Sequence, residues 1–128
     1  MEKREYAVAL KHDGRNCCQA VLEACAEELD LPAETLNRLG AAFGLGMDTM
    51  QATCGALCGA QMALGLMEAG RKPVRGQARQ VLEAFREKAG ATQCRKLKGV
   101  DTGAVLCACD DCVRYAVDAL EAVRSPKP

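Results

Sequence analysis

The chain has 128 residues, and its 17 basic and 17 acidic side chains give a formal charge of zero. That balance, with no Lys/Arg block, implies neither nucleic acid nor an anionic membrane surface as a partner. Aromatics make up only 3%, which argues against base stacking and against a β-rich fold.

One domain over residues 1–128, with a core of its own, fits this length. The charged opening Met1 to Tyr6 does not read as a signal peptide, and residues 1–13 read as a poorly ordered tail. From Asn16, a good N-cap type, Cys18, Val21, Leu22, Cys25 and Leu29 recur at helical spacing, predicting a first helix that ends near Asp30. Pro32 suits the first turn of a second helix with Leu36, Leu39 and Phe43 inward, stopped by Gly44-Leu45-Gly46. A third helix is expected from about Thr53 to Glu68, although Asp48-Thr49-Met50-Gln51 also reads as a capping box. Gly55, Gly59 and Ala63 recur every four residues along it and leave a smooth strip for close backbone approach.

The fourth helix carries the stripe Val74, Ala78, Val81, Leu82, Phe85 and Ala89, closed by Gly90. A loop from Ala91 to Leu106 follows. The fifth helix starts near Asp110, turns Val113, Ala116, Val117, Leu120 and Val123 inward, and ends before Pro126. Residues 125–128 read as a second tail. No alternating β-branched run occurs, so the expected class is all-α, a compact bundle of four to five helices with no sheet. The most apolar stretch, Cys54 to Met67, is interrupted by Gln61 and falls short of the roughly 20 residues that a membrane span needs. A cytoplasmic protein with no membrane partner is the expectation.

Nine cysteines are the chemical signal. Cys17, Cys54, Cys94 and Cys109 stand where a helix begins or a loop crosses between helices. A free helix start offers unpaired N–H groups and partial positive charge, which favours thiolate. In a reducing compartment many cysteines indicate metal, cluster or catalysis before structural disulfides, and an odd count leaves one thiol over. Cys109-Asp110-Asp111-Cys112 is a CxxC pair whose leading cysteine would be the attacking thiolate. Against that use stand the missing βαβ pattern and the two intervening acids. The trio Cys107, Cys109 and Cys112 reads as functional, whereas Cys25, Cys18 and Cys58 read as packing. His12, the single histidine, reads as solvated, which disfavours Cys–His catalysis. Met47, Met50, Met62 and Met67 read as adaptable core. Arg71-Lys72 and Lys96-Leu97-Lys98 read as solvated.

At these cysteines the chain resembles the C_GCAxxG_C_C family of small redox-active proteins. The resemblance rests on Asn16-Cys17 with Gln19-Ala20-Val21, Phe43-Gly44 with Gly46-Met47, and Thr53-Cys54-Gly55-Ala56-Leu57-Cys58-Gly59-Ala60. It continues through Cys94-Arg95 with Leu97, and Cys109 with Val113 and Ala116, covering about residues 14 to 120. It implies redox activity at Cys17, Cys54, Cys94 and Cys109. The chain departs at Leu45, where a glycine is usual, and in the extra thiols Cys18, Cys58, Cys107 and Cys112. Cys107, Cys109 and Cys112 therefore all compete for the fourth position.

Two uses of the quartet are open. Four thiolates can hold an iron–sulfur cluster, or zinc in the same tetrahedral set. Alternatively, the thiols work without metal through redox-active disulfides, passing electrons to a partner the sequence does not identify. A rival of another class is a helical assembly protein, such as a homodimer joined at the Gly55, Gly59 and Ala63 strip, with incidental thiols.

Overall fold

The computed structural model describes residues 1–68, 70 and 73–126. Arg71 and Lys72, and Lys127 and Pro128 of the expected second tail, lie outside them. The described residues are all-α: α1 (Lys3–His12), α2 (Cys17–Ala24), α3 (Ala26–Leu29), α4 (Ala33–Gly40), α5 (Gly55–Glu68), α6 (Arg75–Ala89), α7 (Cys94–Lys98) and α8 (Cys109–Val123). No sheet occurs among them, and extended backbone pairs only at one bridge, Thr53 with Gln93. No helix is long and apolar enough to cross a membrane among the described residues.

The helices outnumber the expected four to five, and each addition has a cause. The tail expected over residues 1–13 is instead α1, whose Ala7, Val8 and Leu10 are buried. Four apolar residues in a charged segment are too few to show a period. The charges around them supply the anchoring: Lys3 pairs with Glu28, Arg114 with Glu5 at 3.0 Å, and Lys11 with Asp110 at 3.0 Å. The first predicted helix breaks at Cys25 (φ −98°, ψ 5°), which separates α2 from α3. The expected Ala91–Leu106 loop contains α7, a single short helix.

Downstream of α4 the backbone does something the sequence did not announce. Leu45, Gly46, Met47, Asp48 and Met50 all hold left-handed φ angles between 54° and 62°. The alternative capping box at Asp48 to Gln51 is not formed. Thr49 Oγ1 instead donates to the Gly46 carbonyl (3.1 Å) and accepts from the Gln51 N–H (3.1 Å), bracing the turn. Met47, expected in the core, is 49% exposed here.

α5 runs through the middle, packed on α2 and α8, while α6 lies on α8 and α1 bridges α2 and α8. Phe85, Leu57, Leu64, Leu22, Leu36, Val117 and Leu120 are fully buried between them. Cys18 and Cys25 are at 0% exposure within this core, the behaviour of small hydrophobes. The Gly55, Gly59 and Ala63 strip faces inward. A Cβ on Gly59 would lie 2.8 Å from the Cys18 carbonyl oxygen, so α2 fills the seam. The strip is thus not an outward surface for a second copy, which corrects the expectation of an interface there.

Candidate functional site

Each end of the site is built by local backbone chemistry. Asn16 Oδ1 accepts from the Gln19 N–H (2.8 Å), and Gln19 Oε1 accepts from the Asn16 N–H (2.9 Å), a complete capping box. Asn16 Nδ2 also donates to the Gly40 carbonyl (3.2 Å), tying the start of α2 to the end of α4. Cys17 is thereby fixed as the first residue of α2.

The Thr53–Gln93 bridge does the same for two more sulfurs. The Cys54 N–H donates to the Thr92 carbonyl (2.8 Å) and the Cys94 N–H to the Ala52 carbonyl (3.0 Å). Cys54 so precedes Gly55 at the start of α5, and Cys94 opens α7. The carbonyl of Leu97 accepts from both the Leu106 and Cys107 N–H groups at 3.0 Å, which brings the following loop back to α7. Cys109 then opens α8.

These constraints bring all four expected cysteines to the wall of one cavity of about 240 Å³. Cys107 and Cys112 line it as well, so the competition for the fourth position ends with all three thiols facing the same space. Gly55 must be glycine: a Cβ there would lie 2.6 Å from Cys17 Sγ and 2.5 Å from the Phe43 carbonyl oxygen. A Cβ on Gly46 would meet Cys94 Cβ at 2.7 Å. The usual glycine that Leu45 replaces also gains a reason, since Leu45 sits at φ 54°, where glycine alone is unstrained. All nine thiols are free.

Electrostatics single out Cys54. The neighbouring Cys112 thiol is the leading influence that favours its thiolate, and the Leu57 and Ala56 amides at the start of α5 add to this. Against the opposing cost of burial, and with help from the Lys98 charge, these bring Cys54 down to about 7. Cys112 is pushed far up, first by the neighbouring Cys54 and then by burial. Burial is the leading cause that raises Cys17, Cys94 and Cys107. Cys112 Sγ donates to the Cys107 carbonyl (3.7 Å), and the leading electrostatic influence on this second thiol of the CxxC pair is Cys54, at the start of α5. The two acids of that motif are occupied elsewhere, Asp110 by Lys11 and His12 and Asp111 by Arg114.

Sequence reasoning missed Lys98. Expected as solvated, it lines the cavity with its ammonium against Cys109 Sγ. The signal was its place four residues after Cys94, which puts both on one face of α7.

A cysteine-only donor set suits a soft metal or an iron–sulfur cluster, and six thiols around one cavity match that chemistry. Their spacing is less committed. Among the described residues no three His, Cys, Asp or Glu side chains stand close enough to hold one metal ion.

The family model described as "Putative redox-active protein (C_GCAxxG_C_C)" matches residues 15–123 of this chain. Comparison with curated proteins and with solved structures gives no match.

Proposed function

Because this chain belongs to the C_GCAxxG_C_C family of redox-active proteins, we propose that its sulfur-lined cavity is a two-electron redox centre. Cys54 and Cys112 cycle there between a thiolate–thiol pair and a disulfide. The observation that carries this reading is that Cys54 and Cys112 line one cavity, where Cys112 is the leading influence that draws the Cys54 thiol down. The thiolate is the attacking species in thiol–disulfide exchange, and Cys54 is the cysteine whose surroundings favour it near neutral pH. Cys54 attacks an oxidised sulfur, the mixed disulfide forms, and Cys112 displaces the departing thiolate. Cys107, whose carbonyl accepts from Cys112 Sγ (3.7 Å) and whose side chain lines the same cavity, stands ready as a third member. Nine free thiols suit the reducing cytoplasm.

A second reading is favoured by a different observation: four helix starts meet at one cavity. There Cys17, Cys54, Cys94 and Cys109 would hold an iron–sulfur cluster, or zinc. A bound cluster would supply one-electron transfer, and amides at the helix starts would offset its negative charge.

One preparation separates the two. Protein purified anaerobically and fully reduced should be colourless and free of iron. Oxidised with the uncharged 2-hydroxyethyl disulfide, it should form a reversible Cys54–Cys112 link in peptide mass mapping, and Cys54→Ser should abolish that link. A brown sample with iron and acid-labile sulfide in comparable amounts would replace the dithiol reading with the cluster.

A further inference from the structure

The cavity carries information about what Cys54 attacks. Its volume of about 240 Å³ leaves room for a compact small molecule against the sulfurs. The walls are sulfur and aliphatic carbon, among them Leu45 and Leu97, a soft and polarisable lining.

Three cations border it, and they differ in one respect. Lys11 is paired with Asp110 at 3.0 Å, and Arg15 with Glu23 at 3.0 Å and Asp13 at 2.8 Å. Lys98 has no carboxylate partner among the described residues, and its ammonium faces Cys109 Sγ. A cation left facing sulfur in a half-enclosed apolar cavity is a site for an anion that is itself soft.

We propose that the cavity takes up a small anionic chain of sulfane sulfur, inorganic polysulfide being the simplest, with Lys98 binding its charge and Cys54 accepting its terminal sulfur. This rests on the Cys54–Cys112 dithiol reading and names the substrate class for it. The chemistry closes without a further reagent. Cys54 thiolate bonds to the terminal sulfur, the adjacent S–S bond breaks, and the shortened chain leaves with the electron pair as an anion. Cys112 then bonds to the Cys54 sulfur and the persulfide S–S bond breaks. The terminal sulfur leaves as hydrosulfide, carrying the Cys112 proton. One sulfane sulfur is reduced to sulfide by two electrons, and two thiols become one disulfide.

The test compares inorganic tetrasulfide with 2-hydroxyethyl disulfide on anaerobic, reduced protein, following Cys54–Cys112 formation and released sulfide. Both reagents need the same Cys54 thiolate, so the ratio of their rates cancels any change in its population. Lys98→Met should lower the tetrasulfide-to-hydroxyethyl-disulfide ratio on the order of tenfold, because a charge contact away from bulk water is lost. Lys98→Arg should restore the ratio, and Cys112→Ser should stop the reaction at a Cys54 persulfide. A ratio unmoved by Lys98→Met, or persulfide accumulating elsewhere than Cys54, would overturn the proposal while leaving the dithiol centre standing. If neither reagent links Cys54 to Cys112, the dithiol centre itself falls.

Discussion

Cys54 sits where opposing influences on one sulfur can be weighed separately. Burial alone would raise it, as it does Cys18 and Cys25 to about 12. The neighbouring Cys112 thiol is the largest influence in the other direction and overcomes burial, with the α5 amides and Lys98 behind it. Alkylation of Cys54 by iodoacetamide should therefore reach half its maximal rate near pH 7. Cys112→Ala removes that neighbour, and the midpoint should move up toward the ordinary thiol value. An unchanged midpoint would mean that the helix start, not the neighbouring thiol, sets this reactivity. The sequence exposed Cys54 through its motif. It could not expose the influence of Cys112 on it, because the two reach one cavity only through how α5 and α8 pack. The neighbour it suggested for Cys112 was Cys109, its CxxC mate.

At the scale of the element, the start of α2 was the most legible part of the site. Asn16 and Gln19 stand three apart, and the structure closes both hydrogen bonds of the box. Asn16→Ala should cost about 0.5–2 kcal/mol, read as a lower urea midpoint. Asn16→Asp, which keeps the cap and loses the Nδ2 donation to Gly40, should fall between. The stripes of α5, α6 and α8 were equally readable because each repeats over several turns. α1 and α7 were not. The first has too few apolar residues to show a period, and the second is held by contacts distant in sequence, the Thr53–Gln93 bridge and the Leu97 carbonyl. The left-handed residues after α4 were invisible for a plainer reason: Leu45, Met47 and Met50 are residue types that seldom adopt that conformation.

For the whole molecule, the buried thiols set the response to alkali. Cys18 and Cys25 rise to about 12 and Cys58 to about 11, in each case chiefly through burial. A raised thiol keeps its proton in the fold after the unfolded chain has released it. Its contribution is complete below about pH 9 and is lost as pH rises toward 11 or 12. Cys54 acts in the opposite sense, adding stability as pH rises from about 7 to 9. Urea midpoints should thus hold or rise slightly to pH 9 and fall above it. The fall should be shallower in Cys25→Ala than in the parent chain. Equal slopes in the two would show that other groups govern the alkaline limb.

The turn after α4 brings strained backbone to the edge of the sulfur cavity. Leu45, Met47, Asp48 and Met50 are each held in a backbone hand that disfavours L-residues, by about 1–2 kcal/mol apiece. Leu45 borders the sulfurs directly, and Gly46 rests on Cys94. Letting this stretch relax releases conformational tension, whereas displacing α5 or α8 would tear open the hydrophobic interior. Leu45 is thus a part of the cavity wall that carries backbone strain of its own, beside thiols set at helix starts.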